Sequence, residues 1–68
     1  MFELVVNGAV RRLPVRPATV GELVRALNLS GKRIAVERNG EIVPRSRFGD
    51  ARLADGDRVE VVIAVGGG

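Results

Sequence analysis

The side chains that usually carry out chemistry are missing from this chain: none of its 68 residues is histidine, cysteine or tyrosine. That removes the commonest general base and the strongest side-chain nucleophile. Ser30 and Ser46 have no residue near them in sequence that could act as their base, and the single lysine, Lys32, stands beside Arg33 in an apparent loop. Asp55 and Asp57 flank Gly56; turn formation accounts for both, and two carboxylates are too few for a divalent cation. Asn7-Gly8, Asn39-Gly40 and Asp55-Gly56 lack the spacing and the following lysine of a phosphate-binding loop, so they read as turns. The residues predict neither an enzyme nor a metal site.

One group remains. The sequence closes on Gly66-Gly67-Gly68 directly after a strongly patterned apolar run. At a background usage of about 7%, two final glycines arise by chance in about one chain in 200. A frayed terminus is the plain alternative. The chemical alternative is that the terminal carboxylate is the working group. Without Cβ atoms, such a tail threads a narrow channel and adopts backbone angles closed to other residues. It also leaves the carboxylate of Gly68 unhindered for attack on the α-phosphate of ATP in a partner enzyme's site. The resulting acyl-adenylate is an electrophile, and a sulfur donor can displace AMP to leave a thiocarboxylate. In that reading Gly68 is the attachment point, Gly66 and Gly67 give slimness and reach, and the chain needs no reactive side chain of its own.

Length and composition limit the rest. Sixty-eight residues make one domain, with about 60% of the unfolded surface buried and no room for a deep pocket. Without cysteine there is no disulfide, so stability must come from regular packing, for which 46% hydrophobic residues suffice. No run approaches the roughly 20 apolar residues of a membrane span. Met1-Phe2-Glu3 opens a β-pattern rather than a leader; the expectation is a cytoplasmic protein without a membrane partner. Net charge is +3, and ten of the eleven basic residues are arginine. They are scattered and interleaved with acids, and Phe2 and Phe48 are the only aromatics. That is no stacking platform, so nucleic acid is not expected as a partner.

The elements that would carry the tail follow from periodicity. Phe2, Leu4 and Val6 alternate through a strand ending at Asn7-Gly8, the dipeptide that best fits a type I′ hairpin turn. Ala9 to Leu13 is the return strand, and Pro14 places it at an edge. Thr19 and Glu22 have capping-box spacing. Val20, Leu23, Val24 and Leu27 then form one helical stripe, with Gly31 as the stop signal. Ile34 to Arg38 and Glu41 to Val43 form a second Asn-Gly hairpin, closed by Pro44. Arg45 to Ala54 is a connection with a helical turn near its start and Phe48 as its anchor. Arg58 to Val65 is the final strand, with Val59, Val61, Ile63 and Val65 on one face and Glu60, Val62 and Ala64 on the other. Apolar residues on both faces suit a central strand, placed beside the first. One helix covering one sheet gives an α+β two-layer domain. Val5, Val62 and Ala64 would then lie on the uncovered face as a small partner surface beside the tail, although isolated surface valines are also ordinary.

Several segments together resemble the ThiS family. They are the first strand with Asn7-Gly8, the helix start Thr19-Val20-Gly21-Glu22-Leu23, and Arg38-Asn39-Gly40-Glu41-Ile42-Val43-Pro44-Arg45. To these add Leu53-Ala54-Asp55-Gly56-Asp57-Arg58-Val59-Glu60-Val61-Val62 and the closing Ala64-Val65-Gly66-Gly67-Gly68. The resemblance implies a ubiquitin-like β-grasp fold: a mixed sheet of four to five strands on one main helix, residues 1–65, followed by a flexible glycine tail, residues 66–68. It also implies a sulfur carrier for the thiazole of thiamine, with no cofactor bound to the carrier itself. Its partners would be a ThiF-type enzyme that adenylates Gly68 with ATP and Mg²⁺, a sulfur donor protein, and a ThiG-type thiazole synthase. Other β-grasp carriers, such as the small subunit of molybdopterin synthase, are the nearest alternative. A protein modifier acting through Gly68 and a plain interaction domain are the others.

Overall fold

The computed structural model describes residues 2–14 and 16–64. Met1, Val15 and residues 65–68 lie outside the described residues, and with them the ends of the expected first and last strands and all three tail glycines.

The hydrophobic alternation of the first residues makes strand β1 (Phe2–Val6), which pairs antiparallel with β2 (Ala9–Leu13) from Phe2↔Leu13 to Val6↔Ala9. Asn7 and Gly8 have φ of 50° and 81°, the two left-handed positions a type I′ turn requires. The second hairpin joins β3 (Ile34–Arg38) to β4 (Glu41–Val43). Asn39 and Gly40 take the same conformation there, with φ of 51° and 88°. The last strand, β5 (Arg58–Ile63), lies in the middle of a mixed sheet ordered β2-β1-β5-β3-β4. It runs parallel to β1 and antiparallel to β3, so it joins the two hairpins into one sheet.

Helix α1 (Val20–Ala26) starts where its sequence signals place it. The Thr19 hydroxyl accepts from the Glu22 N–H at 3.2 Å. The Glu22 carboxylate reaches back one residue beyond the usual capping box, to the Ala18 N–H at 3.1 Å. The stop differs from expectation: Asn28, just past the Leu27 cap, closes the helix in place of Gly31. Asn28 has φ 63°, its N–H donates to the Arg25 carbonyl, and the Leu29 N–H donates to the Val24 carbonyl. These are the two bonds of a Schellman closure, for which asparagine is the usual substitute for glycine. Gly31, also left-handed, belongs to the following turn.

Val20, Leu23 and Val24 bury the helical stripe against Phe2, Leu4, Val6, Val36, Val59 and Val61, and Leu53 joins the same core from the connection. A 3₁₀ turn (Arg45–Arg47) opens that connection, and half-buried Phe48 follows it. The Phe48 carbonyl accepts from the Gly21 N–H at 2.9 Å. A Cβ on Gly21 would stand 3.3 Å from the same oxygen, so any side chain there would press the connection back by a few tenths of an ångström. Ile63 departs from the expected pattern. Although it continues the Val59–Val61 face, it is 45% exposed. The cause is length: β1 ends its pairing at Val6↔Val59, so Ile63 has a neighbouring strand only on the β3 side.

The one buried charged residue of the described chain is Asp57, 8% exposed. Its carboxylate accepts from the Ala54 N–H at 2.8 Å, Arg38 Nε at 2.8 Å and Asn39 Nδ2 at 3.1 Å. Burial works against the charge. The three donors and the Arg38 guanidinium overcome it and hold the carboxyl below its ordinary 3.8. A carboxyl lowered in the folded state contributes stability above its unfolded pKa and loses it as pH falls through the folded one. Acid titration of unfolding free energy is therefore expected to show a loss in the wild type, setting in as pH drops past 3.8, that is absent from the curve of Asp57→Asn. At neutral pH the same substitution should cost about 2 kcal/mol, as expected when a part-buried carboxylate that accepts charge-assisted hydrogen bonds is replaced.

Candidate functional site

The candidate site is the end of β5, because the glycine tail continues from it in sequence. Two asparagine side chains fix this strand. At its start, the Asn39 N–H donates to the Arg58 carbonyl at 2.7 Å. The Asn39 side-chain oxygen accepts from the Arg58 N–H at 2.9 Å, while its amide nitrogen donates to Asp57. Midway, the Asn7 N–H donates to the Val59 carbonyl at 2.9 Å. The Asn7 side chain accepts from the Val61 N–H at 2.7 Å and donates to the Val61 carbonyl at 3.1 Å. The Asn7 amide thus stands in for the next residue of β1 and satisfies β5 where its parallel neighbour has turned away. Asp55 adds a third tie, accepting from the Glu3 N–H at 2.7 Å.

Past Asn7 the strand is held from one side. Ala35↔Val62 and Ile34↔Ile63 are the last strand pairs, and the Ala64 N–H donates to the Arg33 carbonyl at 2.9 Å. Of the residues expected to form a partner surface, Val62 is 62% exposed and Ala64 is also exposed. They share a shallow hollow with Arg33, Ile34, Ala35 and Arg45. Val5 is half-buried and sits elsewhere on the uncovered face, between Val10 and Arg58. Val62 lies four residues along β5 from Arg58, about 13 Å. The structure therefore brings Val62 and Ala64 together and leaves Val5 apart from them. Gly66, Gly67 and Gly68 lie outside the described residues.

Sequence reading missed the asparagine clamps and Arg33. Asn7 and Asn39 were legible as turn formers, and nothing local reveals that their amides also reach a strand more than fifty and about twenty residues away, respectively. The available signal was the repeated choice of Asn over Asp at both turns, because an amide donates and accepts whereas an ionised carboxylate only accepts. Among the described residues there is no group of three or more side chains suited to hold a metal ion, and no helix long and apolar enough to cross a membrane.

Comparison with known proteins gives a consistent picture. The model of the ThiS family matches residues 4–68. A sulfur carrier protein ThiS of Bacillus subtilis is 35% identical over 65 residues, covering 96% of this chain and 98% of that protein. A thiazole synthase of Paramagnetospirillum magneticum is 41% identical over 67 residues; 98% of this chain matches, but the chain spans only 20% of that protein's length. The crystal structure of a thiamine biosynthesis protein (ThiS) from Geobacter metallireducens superposes with a TM-score of 0.83 at 35% identity, covering 98% of this chain and all of that one. The mixed five-stranded sheet on one helix is thus the ubiquitin-like β-grasp fold.

The clamps make a test that separates turn formation from strand anchoring. Asn7→Asp keeps a residue suited to the turn but loses the donor to Val61 and faces its carbonyl with a carboxylate. It should cost about 1–2 kcal/mol in urea unfolding, with faster amide exchange at Val61. Asn39→Asp loses its donor to Asp57 and sets a second carboxylate against it. The expected cost is larger, about 2–3 kcal/mol, and partly recovered at acid pH.

Proposed function

The chain belongs to the ThiS family, and from that premise we propose that it is a sulfur carrier in thiamine biosynthesis that works through the carboxylate of Gly68. The observation that best supports this reading is the treatment of β5. A central strand is tied by Asp57, Asn39 and Asn7, overruns its parallel neighbour, and leads in sequence directly to the glycines. The body supplies rigidity and a grip, and it contains neither histidine nor cysteine.

The chemistry balances without any residue of the body. A Gly68 carboxylate oxygen attacks the α-phosphorus of ATP, the bond to the bridging oxygen breaks, and pyrophosphate leaves. A ThiF-type enzyme would hold the ATP and Mg²⁺ for this step. The outer sulfur of a persulfide on a sulfur donor protein then attacks the acyl carbon and AMP leaves; a thiol cleaves the resulting acyl disulfide, carrying the donor sulfur off as a disulfide and leaving the Gly68 thiocarboxylate. Gly66 and Gly67 let the carboxylate pass into a channel too narrow for a Cβ. The product carries sulfur to a ThiG-type thiazole synthase. The likeness to a protein named thiazole synthase, over a segment one-fifth of its length, supports that acceptor. Val62 and Ala64 on the uncovered face would meet the partner's body, with Val5 at the margin. The cytoplasm is the proposed site of action.

Incubation with a ThiF-type enzyme, ATP, Mg²⁺ and a sulfur source should raise the intact mass by about 16 Da, oxygen replaced by sulfur at Gly68. Deletion of Gly67 and Gly68 should abolish the gain; an unchanged mass beside a competent enzyme would refute the reading. Val62→Glu should lower kcat/KM for adenylation about tenfold, equivalent to about 1.4 kcal/mol. At this exposed position it should alter unfolding free energy by no more than about 0.5 kcal/mol.

A further inference from the structure

Where β5 leaves the sheet, the body is cationic. The hollow beside Val62 and Ala64 has a volume of about 430 Å³, an apolar floor that includes Ile34 and Ala35, and a rim that carries Arg33 and Arg45. Lys32 adds a third cation next in sequence. Its carbonyl accepts from Arg45 Nη2 at 2.9 Å, which holds the Arg45 side chain in place. The Ala64 N–H bond to the Arg33 carbonyl ties this rim to the strand end itself.

No acidic residue lines the hollow. Among the described residues, Arg12 and Arg38 form salt bridges with Glu3 and Asp57, whereas Lys32, Arg33 and Arg45 form none. The nearest acids on the uncovered face, Glu37 and Glu60, oppose each other across β3 and β5. They lie two residues along from the Ala35–Val62 pair, about 7 Å away. The chain thus separates its charges, with cations at the tail root and the acid pair behind them.

Reach makes this location matter. Four residues follow Ala64, and at about 3.5 Å per extended residue they span at most about 14 Å. A protein acting on Gly68 must therefore bring its surface to within that distance of the rim. Arginine held over an apolar floor is a composition enriched at protein contacts, while the absence of nearby aromatics disfavours single-stranded nucleic acid. We propose that Lys32, Arg33 and Arg45 form a docking rim for an acidic protein surface, the one surrounding the channel that receives the tail in the activating enzyme. The rim speeds encounter and sets the tail's register, and the inference rests on the carrier reading above.

The test uses the full chain with a ThiF-type enzyme. Binding is measured by calorimetry, and adenylation by ATP–pyrophosphate exchange, each at low and high ionic strength. Arg33→Glu/Arg45→Glu should raise Kd and KM about tenfold or more at low salt, leave kcat within about twofold, and flatten the salt dependence. Arg25→Glu, on the exposed side of α1, should behave as wild type. Because Arg45→Glu also removes the bond to Lys32, Arg33→Glu alone is run beside it and should show the same direction. Unchanged Kd and KM in both variants, or a fall in kcat alone, would overturn the rim while leaving wild-type adenylation intact. Binding of ATP alone, or of polyuridine, that these substitutions abolish would overturn it in favour of a nucleotide or nucleic-acid site. A wild type that neither binds nor is adenylated by a competent enzyme would refute the carrier reading, and the rim with it.

Discussion

The Asp57 carboxylate is the point on which the sheet is assembled. β1 and β2 are one local hairpin, β3 and β4 another, and the two are not neighbours in the sheet. Only β5 joins them, and Asp57 sits at its start. Its backbone carbonyl accepts from Val5 of β1, while its side chain takes Arg38 and Asn39 at the end of β3 and the Ala54 N–H of its own turn. A neutral residue could supply one or two of these acceptor positions. Only an ionised carboxylate meets three donors and balances the adjacent guanidinium, which is why a charge survives at 8% exposure in so small a domain.

The two Asn-Gly turns extend the same principle. Type I′ geometry demands left-handed residues, and Asn, Asp and Gly all satisfy it. The turn requirement alone leaves the choice open, and the contact with β5 closes it. Asn7 must donate to the Val61 carbonyl and accept from its N–H; Asn39 must accept from Arg58 and donate to Asp57. A local rule and a long-range hydrogen bond converge on one residue type, and the hairpins are thereby keyed to the strand that bears the tail.

This convergence explains what was legible in the sequence. The strands, the helix start and the central place of β5 depend on period, capping and branched apolar residues, all of which are local and visible. The alternation of Phe2, Leu4 and Val6 and the Thr19–Glu22 spacing are sufficient for them. What escaped depends on which segments meet. Asp57 looks like a turn former because Asp-Gly-Asp is a good turn; its burial follows only from β3 and β5 being neighbours. Ile63 looks buried by parity and is half exposed, because strand lengths, not parity, decide where cover ends. Asn28 competes with Gly31 as a helix stop, and the Val24–Leu29 bond settles it in favour of the earlier residue. At the site, Val62 and Ala64 were legible from alternation, whereas Arg33 reaches it only through the β3–β5 register.

A body built in this way has a consequence for the chemistry of its tail. Histidine and cysteine are absent, so the chain lacks the side chains whose ordinary pKa values lie nearest neutrality. Asp57, the described carboxyl with a displaced pKa, is displaced downward, so it stays ionised through the neutral range and the clamp on β5 does not loosen there. The Asp57 clamp therefore holds β5 in one geometry through the neutral range, which suits the carrier role proposed above.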